Sequence, residues 1–199
     1  MSDLMQPGQL LRMARHTVSN PRDGAAVILK LHLPMRALWL AFGLVIVLSM
    51  FLGEAVALLM GPPDQAAMPP EMMVSPITMG VIQAAFLFLV AHGIARIGQL
   101  FGGSGDFQGA LALIVWLQFI FLVVQVIQLA AMLVVPPVAG LITILAMGLF
   151  FWLLVNFIAT LHGFSSLGLI FVMTILTAFG FVFVLSLVLT MLGLGFGMN

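Results

Sequence analysis

Cysteine is absent from this chain, which excludes a disulfide, a thiolate nucleophile and any cysteine-based metal site. Tyrosine is absent as well. Charge is scarce: only 6% of the 199 residues are Asp, Glu, Lys or Arg, against about 25% in a soluble domain. Six basic residues balance six acidic ones, so no basic excess invites nucleic acid. What fills the space is apolar, with 63% hydrophobic residues and a mean hydropathy of +1.29, and that composition belongs to a bilayer. The first 34 residues lack a short apolar core followed by a small-x-small cleavage site, and the first long apolar run is too long for a signal peptide, so the N-terminus is expected to be retained.

The polar residues divide the chain into an N-terminal segment, 1–34, and a membrane domain, 35–199. In the first, Leu10, Leu11, Ala14 and Val18 share one helical face while Arg12, Arg15 and His16 lie elsewhere, a pattern that predicts a short helix on the membrane surface. A second short helix is expected from Pro21 to about Leu33, with Asn20 as its cap and Asp23 in its first turn. Beyond it, apolar runs at about 37–60, 77–97, 109–134, 138–159 and 167–192 are each long enough to cross a core of about 30 Å at 1.5 Å per residue. The fold class expected is therefore all-α: a polytopic bundle of five transmembrane helices with an amphipathic cytoplasmic N-terminal segment.

Orientation follows from the basic residues, because short cytoplasmic loops are enriched in Lys and Arg. Arg12, Arg15, Arg22, Lys30 and Arg36 precede or open the first span, and Arg96 falls on the same side by alternation. Loop 61–76 carries Asp64 and Glu71 with no Lys or Arg. The N-terminus, the loop at 98–108 and the loop at 160–166 with His162 are expected in the cytoplasm, and the C-terminus is expected outside. No internal repeat is evident, which disfavours an inverted-repeat transporter.

Polar groups inside a bilayer are costly and draw attention to themselves. His92, Arg96 and Gln99 are spaced i, i+4, i+7 on the second span, and Asn156 is expected at a similar depth on the fourth. Nearer the outer side are Glu54, Gln83, Gln125 and Gln128, while Gln118 shares a face with Gln125. Two readings of these residues stay open: hydrogen bonds that fix the helices together, or a path for a solute or proton. Arg96 is expected to reach the phosphate level of the inner interface, and Glu54 to turn inward and bond to Gln83, Gln125 or Gln128. The four His residues lack metal-ligand spacing, and Gly103-Ser104-Gly105 has neither a triad partner nor a following Lys-Ser/Thr. No catalytic residue, cofactor or metal is expected.

Three stretches, SNPRDGAAVILKLHLP (19–34), HGIARIGQLFGGSGDFQGALALIVWLQ (92–118) and FFWLLVNFIATLHGFSSLGLIFV (150–172), resemble the bacterial inner-membrane branch of the Yip family. The most specific part is the Gly-Gly-x-Gly-x-Phe loop, here Gly102, Gly103, Gly105 and Phe107, a candidate cytoplasmic interaction loop. The resemblance implies five spans, a cytoplasmic N-terminus and no established enzymatic activity; with the orientation read from the basic residues, the C-terminus is expected in the periplasm. Lacking tyrosine, the chain cannot carry the Asp-Leu-Tyr-Gly-Pro motif of the eukaryotic members that bind Rab GTPases. The function expected is that of an integral membrane scaffold or adaptor binding a protein partner at its cytoplasmic face, with anionic lipid headgroups at the N-terminal segment and homo-oligomerisation compatible with the sequence. The alternative is a transporter or lipid-translocating protein that uses the intramembrane polar residues.

Overall fold

The structure is a computed structural model that describes residues 7–60 and 75–191. Among these, every regular element is an α-helix: α1 (Pro7–Ser19), α2 (Pro21–Lys30), α3 (Met35–Met60), α4 (Pro76–Leu100), α5 (Phe107–Val134), α6 (Pro136–His162) and α7 (Leu167–Met191). Four of them, α3 to α6, are long and apolar enough to cross a membrane. The stretch Leu167–Gly180 of α7 is apolar and helical but shorter. Most of the loop at 61–76 and the glycine-rich end at Gly193, Gly195 and Gly197 lie outside the described residues.

Local chemistry sets the helix ends. Ser75 caps α4 by accepting the Thr78 N–H at 3.2 Å, with Pro76 in the first turn, and Asp106 caps α5 through the Gly109 N–H at 2.8 Å. Asn20 stands at the cap position of α2 but its side chain makes no capping bond, contrary to expectation. That helix also stops at Lys30, short of Leu33, because His32 takes a left-handed backbone (φ 42°) and its ring engages the Lys30 carbonyl.

Burial is concentrated at one end of the bundle, where α1, α2, the α4–α5 loop and the C-terminal end of α6 meet. The central helix is α5, whose residues from Ala110 to Leu117 are buried without a break, against Phe42 and Val45 of α3, Ala91 of α4 and Leu153 and Phe157 of α6. Between helices in lipid the driving force is close packing and hydrogen bonding, since the tails are as apolar as the side chains. Small residues supply the closeness here: Ala91 and Ala95 on α4 and Ala110 on α5 are buried. The halves of α3, α4 and α6 away from that end are mostly exposed, as Phe51, Leu58, Ile77, Ile144 and Leu145 are. Helix α7 leans on α6 through Ile170, beside Val155 and Ala159.

The N-terminal helices are part of this core. Ala14 is 5% exposed and Thr17 is buried, whereas Leu11 is 48% exposed. The inward face of α1 is thus Leu10, Met13, Ala14, Thr17 and Val18, rotated from the expected one, and it packs on protein. Thr17 decides the rotation: Trp116 Nε1–H of α5 donates to its hydroxyl at 3.1 Å, and the hydroxyl donates to the Met13 carbonyl at 2.8 Å. An indole N–H buried in an apolar helix needs such an acceptor.

Candidate functional site: the basic end and its cleft

The α4–α5 loop begins as a helix terminus. Gly103 N–H returns to the Gly98 carbonyl at 2.9 Å and Gly102 N–H to the Gln99 carbonyl at 3.0 Å, with Gly102 in the left-handed region at φ 84°. This is the Schellman arrangement, and a residue with a Cβ would strain it at Gly102. The loop then wraps the imidazole of His162. Gly105 N–H donates to His162 Nδ1 at 3.1 Å, so that nitrogen carries a lone pair and Nε2–H donates to the Ile94 carbonyl at 3.0 Å. The ring is held as one neutral tautomer with both nitrogens used, which leaves it no free site for a metal or a proton-transfer partner. A Cβ on Gly98 or Gly103 would overlap the ring, and one on Gly105 would come within 2.7 Å of its Cε1.

His162 is therefore a buried structural residue at the end of α6. The sequence places it in an aqueous loop after 159; the helix instead runs on to it and ends on the left-handed Gly163. Its signal in the sequence was indirect: Gly98 is a glycine inside a helix, a choice that costs stability unless something must approach closely. Around it the elements are tied by further hydrogen bonds: Gln99 Nε2 to the Gly105 carbonyl at 2.8 Å, Gln108 Nε2 to the Leu33 carbonyl at 2.8 Å, and Arg22 to the Ser165 carbonyl at 3.3 Å.

Beside the loop lies a cleft of about 210 Å³ lined by His92, Ala95, Arg96, Gln99 and Phe107. The expected i, i+4, i+7 face of α4 forms one wall and Phe107 the other. His92 lies between aromatic rings, 4.1 Å from Phe107 and 4.4 Å from Phe88 by ring centroids, and its Nδ1 is 3.4 Å from the Phe88 carbonyl. Trp39 of α3 extends this cluster towards Phe88 and Phe107. Arg96 is exposed. Arg12, Arg15, Arg22, Lys30 and Arg36 are exposed too, and among the described residues none of the six cations forms an ion pair.

The other polar residues are not gathered into a cluster. Asn156 is buried and donates to the Trp152 carbonyl of its own helix at 2.8 Å. Gln128 bridges α5 to α6 through the Thr143 hydroxyl at 2.7 Å. Gln83 and Gln118 are half-buried and Gln125 is exposed, and none of them makes a side-chain hydrogen bond. Glu54 is exposed and bonds to no glutamine, which corrects the expectation that it turns inward. The physical reason is helical phase: nine residues beyond the buried Val45, at about 100° each, put it half a turn round α3. No three His, Asp or Glu side chains among the described residues are placed to hold a metal.

Membrane-length apolar helices around a packed basic end define an α-helical multi-pass membrane protein. The family model of the Yip1 domain matches residues 15–194, and the chain belongs to that family. It is a membrane-associated and generally non-catalytic family. No curated protein and no solved structure matches the chain.

Proposed function

We propose that this Yip-family protein is a bacterial inner-membrane scaffold or adaptor that spans the bilayer five times and binds a protein partner at a cytoplasmic basic end. Its length supports α7 as the fifth span: 25 residues at 1.5 Å each extend about 37 Å, more than a core of about 30 Å. Retention of cations on the cytoplasmic side orients it. On this reading the C-terminus is periplasmic, anionic headgroups lie under α1 and α2, and a second copy is a further partner the fold can accept.

The observation that carries the reading is the build of the basic end. Hydrogen bonds tie α1 to α5, the α4–α5 loop to His162 at the end of α6, and Arg22 of α2 to the Ser165 carbonyl just beyond it, yet the cations of this end form no ion pair among the described residues. A rigid surface with unpaired charge suits recognition of an acidic partner. Transport along the polar residues has less support, because no hydrogen bond joins Glu54, Gln83, Gln118 or Gln125 to one another. The test is photo-crosslinking in native membranes from a reactive residue at Arg12, Arg22 or Ser104, with exposed Ile144 on α6 as control. A protein adduct is expected from the first three positions and not from Ile144. Lipid adducts alone at all four positions would overturn the proposal.

A further inference from the structure

We propose that the cleft between α4 and the start of α5 binds the phosphate of an anionic phospholipid, with Arg96 as its main ligand. Arg96 lines the cleft and forms no ion pair among the described residues, and Asp106, the nearest acid in sequence, is occupied in capping α5. Guanidinium offers a planar fork of donors that matches phosphate. The second polar group is His92, whose ring is fixed by Phe88 and Phe107 and whose Nε2 has no partner among the described residues. Gln99 is tied to the Gly105 carbonyl and holds the wall in place. Ala95, buried, also lines the cleft and adds no polar group to it.

Depth selects a lipid as the source of that phosphate. Arg96 lies four residues before the end of α4, about 6 Å along a helix of about 37 Å, so it sits close to the boundary of a core of about 30 Å. Below it, Ala85, Leu89 and His92 fall within about 40° of Arg96 around the helix, and Ala85 and Leu89 are exposed. An acyl chain can follow that apolar strip while its phosphate meets the guanidinium. A soluble phosphate would use only the upper half of this surface. The inference concerns lipid alone and does not depend on the identity of any protein partner.

The test is native mass spectrometry of the full-length protein in detergent with phosphatidylglycerol added, on the natural chain and on Arg96→Gln and Arg36→Gln. The natural chain is expected to retain one lipid molecule per chain. Loss of a charge-assisted hydrogen bond should lower retention about tenfold or more in Arg96→Gln, and Arg36→Gln, which removes an equal exposed charge from the start of α3 outside the cleft lining, should stay within about twofold. Since Arg96 is exposed, its variant should melt with the natural chain, which separates lost binding from lost fold. Equal losses in both variants would mean diffuse surface charge, and unchanged retention in Arg96→Gln would mean no site; either result overturns the proposal. So would tight binding of inorganic phosphate in lipid-free micelles that Arg96→Gln abolishes while lipid retention persists.

Discussion

His162 offers the sharpest test at the scale of single residues, because its ring and three glycines occupy space that only one of them can fill. Removing the ring in His162→Ala leaves the buried Gly105 N–H without its partner, at about 1–3 kcal/mol, and takes from the Ile94 carbonyl the donor it has beyond its helical bond. Gly98→Ala should also destabilise the natural chain, since its Cβ would overlap the imidazole. In the His162→Ala background the sign should reverse: the space is free, and Ala is favoured over Gly inside a helix by up to about 1 kcal/mol. Unfolding of the four proteins in detergent measures the cycle, and additive effects would show that the two residues do not share that space. Glu54 gives a second test. It lies about 9 Å from the end of α3 with no partner among the described residues, so Glu54→Leu removes a group that is costly at depth and should leave stability unchanged or raise it. A loss of 1 kcal/mol or more, on the order of one hydrogen bond, would reveal a partner such as a second copy of the chain.

At the scale of elements, α1 is held by packing against protein, and its two apolar edges should respond differently. Ala14→Asp places a carboxylate against the core and should release the helix, raising protease cleavage across residues 9–18 and shifting Trp116 emission to the red. Leu11→Asp alters only the exposed edge and should leave both readouts near the natural values. The milder Thr17→Val should cost about 1 kcal/mol by depriving Trp116 of its acceptor. Equal release by Leu11→Asp and Ala14→Asp would mean that α1 rests on lipid instead. The helical faces of α1 were half legible: Ala14 and Val18 mark the correct side, but a threonine reads as polar surface until the tryptophan that needs it is known.

For the whole molecule, the packing is uneven, dense around the first half of α5 and sparse elsewhere, while the cations gather at the densely packed end. Five spans with that end inside require a reporter active only outside the cytoplasm to work when fused after Asn199 and to be silent near Ser104. A silent fusion at Asn199 would indicate an even number of spans. The same arrangement predicts that accessible labelling from the cytoplasmic side reaches Arg12 and Arg22.

By itself the sequence determined the class, the helices and the end at which the charges lie. These are local properties: a bilayer leaves its backbone groups no water, so a long apolar run must become a helix, and Pro, Gly and capping residues mark its ends. The spacing of His92, Arg96 and Gln99 was legible for the same reason, as residues on one helix. Only the tertiary structure decided how each helix is rotated about its own axis, because the faces towards lipid and towards protein are equally apolar and leave no contrast to read. That is why Glu54 turned outward, why His162 proved buried beneath the glycine loop, and why Phe107 came to close the cleft over His92.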